Sequence, residues 1–151
     1  MKYTMMLPAL GLALLTACAP APQQAPKVDP TSEAWYGPMV QRLAQIDVDA
    51  AVLAQSNRLQ DAAVLVTSGQ AMQIRLLSAP RPTLEAMQAI ADLDQVYGHM
   101  LIANGFFGEA RMLFQKNVTR WRTWKPQTPD TQNRLKLAND GIAECDKHMG
   151  G

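Results

Sequence analysis

Histidine, cysteine and aromatic residues are all scarce in this chain of 151 residues, which holds two His, two Cys and 6% Phe, Trp and Tyr. His99 and His148 lie far apart, and no H-x3-H or C-x2-C spacing offers a metal three ligands. A glycine-rich phosphate loop and a G-x-S-x-G nucleophile elbow are also missing. These absences weaken an enzymatic reading, and no catalytic residue, cofactor or metal is expected. Charge of one sign is lacking too. With 14 basic against 13 acidic residues, the chain has no global footprint of a nucleic-acid binder. Runs of alternating apolar and polar residues bounded by turn signals are absent, which leaves no convincing strand. What is present is 48% apolar and 18% charged residues, ordinary for one globular domain.

The first residues do not belong to that domain. Lys2 and the amino terminus form a short positive region, Met5 to Leu15 is uncharged, and small Thr16 and Ala17 follow. This is the layout of a secretory signal peptide, too short to span a bilayer, which takes about 20 apolar residues. Residues Leu15-Thr16-Ala17-Cys18 resemble the lipobox of bacterial lipoproteins. The resemblance implies that 1–17 is a lipoprotein signal peptide cut before Cys18. It also implies that the Cys18 thiol carries a diacylglycerol and that its freed amine is acylated. Ala19 in place of Asp implies sorting to the outer membrane, facing the periplasm. Two or three acyl chains anchor a protein stably where one does not. With Cys18 lipidated, Cys145 has no intrachain partner, so disulfides are not part of the fold. From 18 to 31 the chain reads as a tether, because "APAPQQAPKVDP" has four prolines in twelve residues and little to bury.

The domain, 32–149, shows the helical period five times, and an all-α fold of about five helices in antiparallel hairpins is expected. Met39, Leu43, Ile46, Ala50 and Leu53 form the first stripe, after a start at Gly37-Pro38. Ala62, Leu65, Met72 and Leu76 form the second, and a break near Ser56 and Asn57 competes with one long bent helix. "APRP" at 79–82 ends it. Thr83 caps a third helix with Ala86, Ile90, Leu93, Tyr97 and Leu101 on its stripe, stopped at Asn104-Gly105. A fourth runs from Phe106 to Lys125, and a fifth opens at Thr128-Pro129-Asp130. Cys145 sits on the fifth stripe as a buried, inert thiol. The methionines at 39, 72, 87, 100, 112 and 149 are scattered and read as core filler.

The third and fourth helices carry Tyr97-Gly98, Leu101, Gly105 and then Ala110-x3-Phe114. These residues resemble a tetratricopeptide repeat, standing at its L-G pair, its Tyr, its turn and its A-x3-F. The resemblance implies that Gly98 lets the second helix approach and that Ala110 packs beside it. Asp94 departs from the pattern where an aromatic is wanted, Asn117 where a small residue is wanted, and Pro126 comes four residues late. A shift by the family's ~34 residues finds no second copy, since Leu76 and Glu144 would take the Ala position. Such a hairpin leaves a groove for its neighbours or for a peptide or partner helix.

Charge is unevenly spread. Arg111 to Lys136 has seven basic residues and one acidic, whereas Asp29 to Asp94 has eight acidic and four basic. Within "TRWRTWKP", Trp121 reads as core, and Arg120, Arg122, Trp124 and Lys125 are the candidate partner-binding residues, with Trp124 the more exposed ring. Asp92 and Asp94, like Asp47 and Asp49, are two apart and point to different sides of a helix, as solvated faces would. The function expected is a non-enzymatic, membrane-anchored lipoprotein, pilotin-like or scaffold-like, that binds a protein or peptide in the envelope and no nucleic acid. Two rivals are a structural or surface lipoprotein without a groove, and a small periplasmic enzyme or ligand carrier with a cleft at Asp94, Tyr97 or His99.

Overall fold

The computed structural model describes residues 28–150, so the signal peptide 1–17, Cys18 and the tether as far as residue 27 lie outside the described residues. Five helices follow in order: α1 (Tyr36–Gln55), α2 (Leu59–Leu76), α3 (Leu84–Ala103), α4 (Phe107–Thr123) and α5 (Pro129–Met149). The fold is all-α, as the periodicity requires. A short 3-10 turn, Pro30–Ser32, precedes them and packs against α1, with the Asp29 side chain accepting from Thr31 N at 3.0 Å. The last residues of the proline-rich segment therefore join the domain. Among the described residues no helix is long and apolar enough to cross a membrane.

The helix ends follow from local chemistry. Thr83 caps α3 by accepting from Ala86 N, and Thr128 and Thr131 close a reciprocal capping box at α5. Between α1 and α2, Asn57 takes a left-handed φ of 59°, and Arg58 N donates to Leu53 O at 2.9 Å. Between α3 and α4, Gly105 does the same at 78°, and Phe106 N donates to Leu101 O at 2.9 Å. Both turns are the same helix-ending device, a left-handed residue with a 6→1 hydrogen bond. The first turn rules out one long bent helix. α4 ends at Thr123, short of Lys125, because Trp124 is already extended. The Gln127 side chain takes up the carbonyls left free, donating to Trp121 O and Trp124 O at 2.7 Å each.

α1 packs on α2 and α3, α3 on α4, and α4 on α5, with lighter contacts of α2 on α3 and α3 on α5. This alternation sets α1, α3 and α5 in one layer and α2 and α4 in the other. It also sets the two hairpins, α1–α2 and α3–α4, in matching register. Aligning Asn57 on Gly105, a spacing of 48 residues, brings Met39 onto Met87, Val48 onto Val96, Leu53 onto Leu101, Ala62 onto Ala110 and Leu65 onto Leu113. Ala62 and Ala110 are fully buried, as are the register mates Val66 and Phe114. The offset between the two hairpins is set by the long α2–α3 connection and its prolines.

Two apolar clusters fill the interior. One joins α1, α2 and the first part of α3 through Leu43, Ile46, Val66, Ile90 and Leu93. The other centres on Phe114, Ala110 and Cys145, with Leu101 and Ile142 packed around them. Phe114 is clasped from both sides: a Cβ on Gly98 of α3 would lie 2.6 Å from its ring, and one on Gly141 of α5 would lie 2.8 Å from it. The absent side chains are what let three helices close on one ring. Cys145 is fully buried, and burial pushes its thiol pKa up. Met39, Met72, Met87 and Met100 are core filler as expected, whereas Met112 and Met149 are exposed.

Candidate protein-binding groove

A groove of about 580 Å³ opens between α1 and α3, lined by matched register positions of the two helices: Val40 with Gln88, Gln41 with Ala89, Ala44 with Asp92, Asp47 with Gln95, and Val48 with Val96. Arg134 of α5 forms the third side. Valines and alanines make up much of the walls, Gln41 adds a polar group on α1, and the remaining polar groups come from α3, Arg134 and Asp47.

Asp47 is the floor residue. It is only 5% exposed, and each of its carboxyl oxygens is buried without a hydrogen-bond partner. Buried polar side chains nearly always have partners, so this one stands out. Burial, reinforced by the negative charges of Asp92 and Asp94, pushes its pKa up to about 8. The expectation of solvated acids is therefore corrected. Asp47 and Asp94 are buried and Asp92 is half-buried; of the four acids only Asp49 is exposed, accepting from Gln45 Nε2 at 2.9 Å. Each buried acid falls on an apolar stripe, Asp47 between Leu43 and Ala50 and Asp94 between Ile90 and Gly98. That was the signal available in the sequence: a carboxylate at a core position of a helical period.

Unlike Asp47, its neighbours are satisfied. Asp92 binds Arg134 Nη1 at 2.5 Å, and Arg134 Nε also holds Asp130 at 2.9 Å. Burial raises the Asp92 pKa even so, with Arg134 opposing it. Burial alone would lower the Arg134 pKa, but Asp92 and Asp130 outweigh it and hold the guanidinium charged. Gln88 Nε2 donates to Asp130, which lowers that carboxyl's pKa and ties α3 to the start of α5.

Asp94 enters a network across three helices, α2, α3 and α4. Arg120 Nη1 donates to it at 2.6 Å and Gln73 Nε2 at 3.1 Å. Arg120 also donates to Asn117 Oδ1, and Asn117 Nδ2 donates to Ala91 O at 2.9 Å. The departures from the repeat pattern at Asp94 and Asn117 thus become one buried polar cluster that joins α3 to α4.

The basic and aromatic candidates divide accordingly. Arg120 points inward and its guanidinium already holds Asp94, so it is not an open surface cation. Trp121 is core, and Trp124, half-buried, meets it edge-on at 6.4 Å. Arg122 and Lys125 are exposed and form no ion pair among the described residues. The structure does not gather these four into one site. Asp94, Tyr97 and His99 do not share a cleft either: Tyr97 lies beside Leu59 and Phe106 near the hairpin turns, and exposed His99 meets Gln95 at 3.0 Å and Glu144 at 3.9 Å. Of the repeat-pattern residues, Gly98, Ala110 and Phe114 are buried together, Leu101 and Tyr97 pack around the cores, and Gly105 makes the turn. Among the described residues no group of three or more His, Cys, Asp or Glu is arranged to hold a metal ion.

Comparison with known proteins adds no relative to this description: no family model, no curated protein and no solved structure matches the chain.

Proposed function

We propose that this protein is a non-enzymatic lipoprotein of the bacterial envelope, anchored in the outer membrane through Cys18, whose inner groove docks a segment of a partner protein. The observation that carries the docking reading is the groove itself, built from matched positions of two helices and floored by an unpartnered carboxyl. Repeat arrays use such a face because each hairpin adds the same surface to its neighbour's. A purely structural lipoprotein has no need of it. The anchor reading is supported by Leu15-Thr16-Ala17-Cys18, and the helical domain suits an assembly accessory of the pilotin or scaffold kind.

A photoreactive amino acid placed at Val48, exposed beside the groove, should crosslink a defined partner in intact envelopes; the same residue at Val64, exposed on α2, should not. Equal yields from both positions, or none from Val48, would sink the docking reading. For the anchor, radiolabelled palmitate should enter the wild type and not Cys18→Ser.

A further inference from the structure

The groove lacks one thing that its chemistry demands. Asp47 brings two carboxyl oxygens to the floor with no donor from any helix around them. The charged groups near it are of the wrong sign or already engaged: Asp92 and Asp94 of α3 are acids, Arg134 of α5 is held by Asp92 and Asp130, and Arg120 of α4 is held by Asp94. Glu85 adds a further acid to the lining, so the groove has three acids and one matched cation. Gln41, Gln88 and Gln95 also line the groove, yet none of them donates to Asp47. A long, thin side chain ending in a compact cation can reach it, while its methylenes lie against Val40, Val48 and Val96.

Building on the docking reading above, we propose that Asp47 is the anchor for a lysine carried by the partner segment, whose apolar face lies on the valine and alanine walls. The lysine ammonium supplies the donors that the floor lacks; as it seats, the Asp47 carboxyl releases its proton to solvent and the carboxylate so formed gains donors and counter-ion together. A charge pair made in this way, withdrawn from water and flanked by apolar contacts, has the make-up of an interface hot spot. Partners without a cation at that position leave the carboxyl as it is in the free chain and gain nothing from it, so one residue supplies both affinity and selectivity.

The probe is n-butylammonium, the lysine side chain without its backbone, titrated into the full-length lipoprotein in detergent with the methyl resonances of Val48 and Val96 as reporters. Saturable shifts are expected with n-butylammonium and not with 1-butanol, and Asp47→Asn should weaken the binding at least tenfold. Asp47→Glu, which keeps the carboxyl, should retain most of it and so separates loss of charge from loss of fold. Equal binding by wild type and Asp47→Asn, or equal response to the alcohol, overturns the anchor. The second arm repeats the Val48 crosslinking in the Asp47→Asn background, where the yield should fall at least tenfold. If the wild type crosslinks and Asp47→Asn crosslinks equally well, docking stands and the lysine anchor falls. If n-butylammonium binds through Asp47 but Val48 crosslinks nothing, the groove takes a free amine and the partner's lysine is refuted.

Discussion

A single buried carboxyl makes the stability of this protein depend on pH in a way that can be worked out in advance. Asp47 has a pKa of about 8 in the folded chain, well above the ~3.9 of an unfolded aspartate. Between those values the folded state holds a proton that the unfolded state has released, so the contribution of Asp47 to stability is greatest below about pH 4 and falls until about pH 8. Asp47→Asn cannot titrate, whereas Asp92, Asp94 and Arg134 remain in both proteins. Urea midpoints from pH 5 to pH 9 should therefore show the variant gaining on the wild type, by up to about 1.4 kcal/mol per pH unit, and levelling off above pH 8. Parallel curves would show that Asp47 is satisfied in solution. The arginines of α4 give a second contrast. Arg120→Ala leaves Asp94 buried without its counter-ion and should cost about 3–5 kcal/mol, since both side chains of the pair are largely hidden, at 14% and 6% exposure. Exposed Arg122→Glu should stay within about 0.5 kcal/mol of wild type. Thermal unfolding of the two variants separates them, and only Arg122 can then be used to test surface recognition without disturbing the fold.

Helices pack here through exchanges of volume between matched positions. The first hairpin places Ala50 and Val66 where the second places Gly98 and Phe114, so a larger ring in α4 goes with a smaller residue in α3. Gly98→Ala should destabilise by about 1–3 kcal/mol, because its new methyl falls 2.6 Å from the Phe114 ring and overpacking outweighs the better helix propensity of alanine. In a Phe114→Val background the same change should become neutral or mildly stabilising, a sign reversal that a double-mutant cycle reads directly. The elements themselves were largely legible in the sequence. Five apolar stripes, the Thr83 and Thr128 caps and the Asn104-Gly105 stop correspond to α1 through α5, because each rests on interactions within a few residues. The offset between the two hairpins was not legible, since it depends on the length of the α2–α3 connection. Nor were the roles of Asp47, Asp94 and Arg120, because an acid or a base on an amphipathic helix looks the same whether its neighbour is water or another helix. Arg120 and Asp94 are 26 residues apart in the chain and become partners only once α3 and α4 are packed.

For the molecule as a whole, the two layers divide the work between holding and being held. The outer layer, α2 and α4, closes the two apolar clusters; the inner layer turns its matched positions toward the groove. Both clusters draw on α3, which gives Ile90 and Leu93 to one and Leu101 and Ile102 to the other. That sharing has a kinetic consequence. Opening the α1–α2 hairpin leaves the Phe114 cluster intact, and detaching α5 leaves the Leu43 cluster intact, but no opening can free α3 without dissolving both. Amide hydrogen exchange under native conditions should accordingly be slowest along the middle of α3 and approach the global unfolding free energy there. The flanking hairpin and α5 should exchange through smaller, separate openings. A protein that recruits a partner along α1 and α3 would in this way keep one wall of its groove fixed while the other is free to breathe and admit the guest.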